Sequence, residues 1–411
     1  MSAVRILRLA AGGDGVGRLD DGMTVFVPRT APGDLVELAG IRRHRRFARA
    51  RLGRVTEEGP QRIAPRCPHY VRDDCGGCQL QHLDGTGQRE ARSGFVGEAL
   101  RRLARVDVPD PPLVPAPDDW GYRSKLTLHA SADRRRIGLH PIDQPDRIFD
   151  LEWCHITDPG LMELWRRLRR HRELLPSGLE RLVLRLDRDG GAHVIALVSG
   201  TTAWTDAAEL HRALVADGSP VTLWWQPEGG AARTVAGSGE AFPATVFEQV
   251  HPAMGDRARH AALAALGDVT ARHVWDLYAG IGETTRLLLD GGASVDSVES
   301  DGRAVRLADA RGPSPAGRVR RHAGRVEDVL GSLAEPSLVI TNPPRVGMDE
   351  RAVAALRARQ PGRIVYISCD PATLARDVAR LGEGYRVRSL EAFDLFPQTA
   401  HVESVALLES A

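Results

Sequence analysis

Lysine is almost missing from this chain: Lys125 is the single one in 411 residues, and the other 54 of its 55 Lys and Arg residues are arginine. There is no run of about 18 apolar residues, which excludes an ordinary membrane-spanning helix. The opening MSAVRILRLAAGG alternates basic and apolar residues and has neither the continuous apolar stretch nor the small-residue cleavage site of a secretory signal, so a cytoplasmic protein is expected. Cysteine is scarce and odd in number, five in all, which in a chain without an export signal argues against a disulfide scaffold and for metal binding or catalysis. No internal repeat or long low-complexity tract interrupts the sequence.

Net charge gives no global pull on a polyanion, being only +1, but it is unevenly spread. Seven arginines and no acid lie between Arg42 and Arg54. Arginine pairs bidentately with phosphate, so this run suits an RNA backbone, although a solvated face in an arginine-biased protein reads the same way. An apolar share of 42% over this length is that of a globular protein with two or three cored domains.

Three regions differ in pattern. Residues 1–58 read as short alternating strands punctuated by glycine (VRILRLA, GVGRLD, TVFVP, LVELAGI, FARARLGRV), a small antiparallel barrel. Residues 59–240 carry four cysteines, a helix expected from about 86 to 105, a proline-rich break and strands such as KLTLHAS and RLVLRLD, an α+β module. Within residues 241–411, beginning near GSGEAFPATVFEQVHP, strands alternate with helices: HVWDLYAG, SVDSVES, SLVITNPP, RIVYISC and VESVALLE. Strands apolar on both faces predict a parallel, doubly wound sheet with its ligand over the strands' carboxyl ends.

Cys67, Cys75 and Cys78 stand as C-x7-C-x2-C in CPHYVRDDCGGC, and Cys154 in LEWCHI is the obvious fourth ligand. On spacing alone, four thiolates suit structural zinc and a 4Fe-4S cluster equally. In DLYAGIGE, Gly280 and Gly282 form a turn that lets backbone approach a ligand, and Glu299 at the end of the next strand is placed to accept from ribose hydroxyls. The missing third glycine of a dinucleotide fingerprint tilts the loop toward S-adenosylmethionine and away from a nicotinamide. Asn342-Pro343-Pro344-Arg345 makes a rigid lip where a planar base can be held, or an ordinary strand-ending turn.

Cys369 ends a strand and precedes a helix whose N-terminal dipole would favour thiolate; Glu403 stands among apolar neighbours, where burial would raise its pKa. Either residue also has a plain reading, as a buried small side chain or a solvated strand position. A thiol that can attack a ring carbon and a carboxylate that can take a proton are together the equipment for alkylating an unreactive pyrimidine carbon.

These motifs resemble the RNA uracil-5 methyltransferases that make 5-methyluridine, in the branch with an N-terminal TRAM domain and an iron-sulfur cluster acting on 23S rRNA. GGDGVGRLDDGMTVFVPRTAPGDLVE is similar to TRAM, CGGCQLQHL to the cluster motif, VFEQVHP to the F-x-Q-V-N box, DLYAGIGE to the donor loop, NPPRVG to D-P-P-R-x-G, and SCDPATLARD and FPQTAHVESV to the two catalytic signatures. The resemblance covers essentially the whole chain. It implies an α/β class I S-adenosylmethionine-dependent methyltransferase with a Rossmann-like doubly wound sheet, an OB-like TRAM barrel and an α+β iron-sulfur central domain. It makes Cys369 the nucleophile, Glu403 the base, and Cys67, Cys75, Cys78 and Cys154 ligands of a 4Fe-4S cluster. Gln249, Tyr278, Gly280, Gly282, Glu283, Glu299 and Asn342 line the S-adenosylmethionine pocket on this reading. A monomer acting on RNA is expected, with 23S rRNA as substrate; a tRNA uridine, cytosine, or a non-catalytic RNA-binding role in assembly stands as the alternative.

Four positions depart from the family pattern. Asn342 replaces the usual Asp, Asp370 the usual Asn, His251 the last Asn of the F-x-Q-V-N box, and Ala279 the frequent Cys of the donor loop. The first cysteine loop is also two residues longer than the usual C-x5-C.

Overall fold

The computed structural model describes residues 3–188, 190–216, 218–238, 246–310 and 317–411, so the expected boundary at 240/241 lies outside the described residues. Three sheets follow one another along the chain.

In the first, strands Ala3–Arg5, Leu35–Arg43, Ala48–Glu57, Thr24–Val27, Gly15–Arg18 and Arg8–Leu9 lie side by side in that order. Alternation turns Val4, Val25, Val27, Val36 and Ala48 inward to form the core and leaves the arginines outside. The two edges are consecutive pieces of one segment: Ile6 N donates to Asp34 O at 2.8 Å and Leu7 N to Val16 O at 2.8 Å, which ties the sheet into a barrel. At this seam a Cβ on Gly17 would stand 2.3 Å from Val4 Cγ1, so glycine is required. The barrel is not wholly antiparallel as expected. Thr24–Val27 pairs in parallel with Ala48–Glu57, because the intervening chain first builds Leu35–Arg43 and returns beside it.

The second sheet has seven strands between Lys125 and Ala236, with Pro159–Arg170 and Ala207–Leu214 packed against it around Trp165, Leu128, Leu182 and Leu223. One parallel pair, Ala192–Val198 with Val221–Gln226, makes it mixed.

The third sheet runs Val319–Ala323, Ser294–Glu299, His273–Leu277, Leu338–Thr341, Arg363–Ser368, Glu403–Ser410, Tyr385–Phe393 and Leu113–Val114. Its first five strands are parallel; the apolar runs of Leu338–Thr341 and Arg363–Ser368 are buried on both faces as the sequence predicts, whereas the edge strand Val319–Ala323 is polar and has no buried residue. Glu403–Ser410 departs from the all-parallel expectation and runs antiparallel to both neighbours. The loop joining it to Tyr385–Phe393 is too short for a crossover, and a short loop can return a strand only in the opposite sense.

The helix expected near 86–105 forms as Gly85–Ala99, capped by Asp84, and continues into one π-helical segment, Leu100–Ala104. It packs on this third sheet rather than on the second: Val96 meets Ala392 and Val402, and Leu100 joins Trp275 and Tyr366. Its Arg92 donates to Asp394 Oδ2 at 2.9 Å and to Thr399 O at 3.1 Å, both charged side chains being 1% exposed. Arg92→Met leaves the Asp394 carboxylate buried without a counter-charge, an expected loss of about 3–5 kcal/mol. The double variant Arg92→Met/Asp394→Leu should recover most of it in urea unfolding. No helix among the described residues is long and apolar enough to cross a membrane.

Candidate active site

A cavity of about 1070 Å³ opens over the carboxyl ends of the parallel strands. The turn after His273–Leu277 forms its floor, with Tyr278, Gly280 and Gly282 all at positive φ (60°, 56° and 76°). Tyr278 is the costly one, since a side chain disfavours that region. The Gly280 amide donates to Glu299 Oε2 at 2.9 Å, and Asp301 N donates to Glu299 Oε1 at 2.7 Å, so the carboxylate is pinned where it faces the cavity. Below the turn, buried Asp276 accepts from the Thr285 hydroxyl at 2.5 Å; burial first, and Glu299 after it, push its carboxyl up to about 7.

Gln249, Tyr278, Gly280, Glu283, Glu299 and Asn342 all line the cavity. Gly282 does not: it sits behind the wall and starts helix Glu283–Asp290. Glu283 is held by Arg259 at 3.0 Å and by Arg188, an arginine from the second sheet's region. Arg185, from the same region, donates to Val246 O at 2.7 Å and pairs with Glu248, so the middle of the chain holds one wall of the cavity.

Cys369 and Glu403 come together in the same cavity. The ladder pairs Ser368 with Ser404, so the residue leaving one strand lies beside the residue entering the other. Glu403 is 1% exposed and neither carboxylate oxygen has a hydrogen-bond partner. A buried carboxylate without a structural partner is rare, and burial raises its pKa to about 8 against opposition from Arg345 and Arg259. The Cys369 thiol is pushed up as well, by burial first and then by Glu403. This reverses the expectation of a dipole-stabilised thiolate. Asp370 occupies the helix N-terminus itself, accepting from Ala372 N at 2.9 Å and Thr373 N at 3.0 Å, and its charge opposes ionisation of the neighbouring sulfur.

The sign of the pH dependence follows. A reaction that needs both groups ionised speeds up as pH rises, and kcat/KM should climb from pH 6.5 to 8.5; a flat profile there contradicts the assignment. For stability, the unfolded chain gives up the Glu403 proton near the ordinary value of 4.5 and the folded chain near 8. Between those values the unfolded state has fewer protons, so stability falls as pH rises.

Cys67, Cys75, Cys78 and Cys154 line a second, small cavity of about 140 Å³. Among the described residues no three His, Cys, Asp or Glu side chains are grouped to hold a single metal ion. The thiols surround a hollow instead. The Gly77 amide donates to the Cys75 sulfur at 3.5 Å, while burial pushes the Cys75 thiol up to about 12. Gly77 and Arg123 line both this hollow and the large cavity.

Sequence reasoning left Arg123, Phe396 and His401, which also line the large cavity, without a role. Phe396 and His401 lie within the quoted stretch FPQTAHVESV and pack edge to face at 5.9 Å, so proximity to Glu403 was a usable signal. Arg123 had none, because only tertiary folding brings it there.

The profile of the family described as tRNA (uracil-5-)-methyltransferase matches residues 303–411, the stretch that holds Cys369 and Glu403. The chain is 32% identical to the 23S rRNA (uracil(1939)-C(5))-methyltransferase RlmD of Thiobacillus denitrificans, over 99% of each protein. It is 33% identical to the protein of the same name from Halomonas elongata, over 98% of this chain and 88% of that one. Its fold matches the crystal structure of Pyrococcus abyssi tRNA (uracil-54, C5)-methyltransferase in complex with S-adenosyl-L-homocysteine, with a TM-score of 0.75, 23% identity, and 98% and 100% of the two chains covered. At that identity the likeness carries the fold alone.

Proposed function

The chain belongs to the RNA uracil-5 methyltransferase family, and from that premise we propose that it transfers a methyl group from S-adenosylmethionine to carbon 5 of one uridine in 23S rRNA. The observation that carries the assignment of roles is the pairing of Cys369 with an unpartnered, buried Glu403 in one cavity.

Carbon 5 of uracil is a poor nucleophile in a conjugated ring. Cys369 as thiolate adds to carbon 6, and the electron pair moves to give an enolate whose carbon 5 is electron-rich. S-adenosylmethionine, when bound, supplies an electrophilic methyl on a sulfonium. Glu299, with the Tyr278–Gly280 turn, Gln249 and Asn342, would hold it. After carbon 5 has taken the methyl, Glu403 removes the carbon-5 proton and the thiolate leaves, restoring the double bond. A uridine must leave its stack to reach so enclosed a thiol, which fits a loop or flipped-out nucleotide.

Residues 1–58 are assigned to a TRAM-type RNA-gripping barrel, 59–240 to a central domain and 241–411 to catalysis. The four cysteines would hold a 4Fe-4S cluster. Thiols spread around a hollow suit a cubane with sulfur ligands at its corners better than one zinc ion, and the Gly77 amide aimed at the Cys75 sulfur suits a ligated thiolate. Since the cysteines contribute no side chain to the catalytic cavity, the cluster's part is to fix the Gly76–Gly77 and Arg123 walls. Cys75→Ser should yield protein lacking iron and binding RNA at least about tenfold more weakly, the loss of local order expected without a structural metal centre. Unchanged RNA affinity in soluble, iron-free protein rejects that part.

The function is tested by incubating the protein with labelled S-adenosylmethionine and isolated 23S rRNA, tRNA and total RNA, then digesting to nucleosides. Label in 5-methyluridine from 23S rRNA is expected. Label only in tRNA or in 5-methylcytidine, or no label, overturns it.

A further inference from the structure

Asp377 lies in helix Pro371–Leu381, which starts two residues after Cys369, and is fully buried although charged. Its Oδ2 accepts from Met348 N at 2.7 Å and from the Tyr366 hydroxyl at 2.8 Å. Its Oδ1 accepts from Arg376 Nε at 2.9 Å and Nη2 at 2.8 Å, and Arg376 Nη2 also donates to Val346 O at 2.7 Å. These bonds do not merely satisfy a helix. Tyr366 is on the strand that delivers Cys369, and Val346 and Met348 end the loop that begins at Asn342; this loop and Cys369 both line the catalytic cavity. The approach is tight enough to forbid a side chain at Gly347 (φ +77°), where a Cβ would stand 2.5 Å from Asp377 Oδ2.

We propose that Asp377 is a positioning residue for methyl transfer: its carboxylate locks the Val346–Met348 end of the lip to the strand and helix that flank Cys369, and so sets where Arg345 stands beside the thiol. The inference rests on the Cys369 and Glu403 reading above. Arg345 is the side chain that makes the lip's position matter. It is exposed in the cavity wall, makes no hydrogen bond or ion pair among the described residues, and its charge opposes the rise that burial imposes on the Cys369 and Glu403 pKa values. A displacement of that end of the lip by a fraction of an ångström moves the charge, while Asn342, anchored by its backbone N to Leu277 O at 3.1 Å, and Glu299 and the Gly280 turn, on other strands, stay in place.

The test compares full-length wild type, Asp377→Asn, Arg345→Gln and the double variant. Asp377→Asn should lower kcat, and the rate of covalent capture by 5-fluorouridine RNA, by on the order of tenfold to a hundredfold. Its KM for S-adenosylmethionine should stay within about twofold. The double variant should fall no further than the worse single one, because both act through one guanidinium. Arg376→Gln, at a half-exposed side chain that removes only the tie to Val346 and one side of the carboxylate, serves if Asp377→Asn does not fold; it should show the same split at smaller size. Wild-type kcat in a folded Asp377 or Arg376 variant overturns the proposal, as do effects that add in the double variant or a loss that only tracks the unfolded fraction. Failure of wild type to capture 5-fluorouridine RNA would instead strike the Cys369 reading itself, so the two failures are separable.

Discussion

Cys369→Ala should abolish uridine methylation, with a loss on the order of 10⁴-fold or more in kcat, or ~5 kcal/mol of transition-state stabilisation. Nothing else in the cavity replaces it: the other four cysteines lie in the separate hollow, and the groups beside Cys369 are acids, arginines and a proline lip. Without addition at carbon 6 the ring keeps its conjugation and carbon 5 cannot attack. Binding of S-adenosylmethionine should survive, because the donor turn and Glu299 belong to other strands. The measurement is paired: turnover on 23S rRNA, and capture of RNA carrying 5-fluorouridine, whose fluorine cannot leave as a proton and so arrests the adduct. Wild type should be captured in a species stable to denaturant and Cys369→Ala should not. Retained turnover in the alanine variant would end the covalent mechanism.

Glu403→Gln should stop the reaction later. Addition and methyl transfer precede proton removal, so the variant should accumulate a methylated, protein-linked RNA with natural uridine while turnover falls by about 10²–10⁴-fold. A second consequence separates this from a damaged fold. The native carboxyl is buried with both oxygens unpartnered, and its pKa near 8 means that folding opposes its ionisation at neutral and alkaline pH. A neutral amide of the same shape escapes that cost, so Glu403→Gln should melt at a higher temperature than wild type at pH 8 and lose this advantage at pH 4. A variant less stable at pH 8, or one that turns over without adduct accumulating, would show that Glu403 is not the base.

The family departures also acquire physical content. Asp370 in place of the usual Asn caps the helix through Oδ1 as an amide oxygen would, but it brings a charge beside Cys369. Asn342 has no such structural task for its side chain among the described residues, where its backbone N donates to Leu277 O at 3.1 Å. Its amide, able to donate and accept, is left for whatever enters the cavity.

Much of this protein was legible in one dimension. Patterning marked four of the five parallel strands, since a strand covered on both faces has little polar side to display, and missed the polar edge strand Val319–Ala323; glycines marked the donor turn; and short motifs singled out Cys369, Glu403, Asn342 and the four cysteines. What sequence could not supply was relative placement. The 34 positions from Cys369 to Glu403 say nothing of distance until a short loop forces Glu403–Ser410 to run antiparallel and sets its first residue beside the end of the nucleophile strand. Helix Gly85–Ala99 and Arg123 read as parts of a middle domain, yet one packs on the catalytic sheet and the other stands between two cavities. Local chemistry is written in residue type and spacing because it depends on near neighbours. Apolar neighbours in sequence already pointed the Glu403 carboxyl upward, but the depth of burial, and with it the direction in which Cys369 titrates, depends on which distant segments exclude water, and only the folded chain decides that.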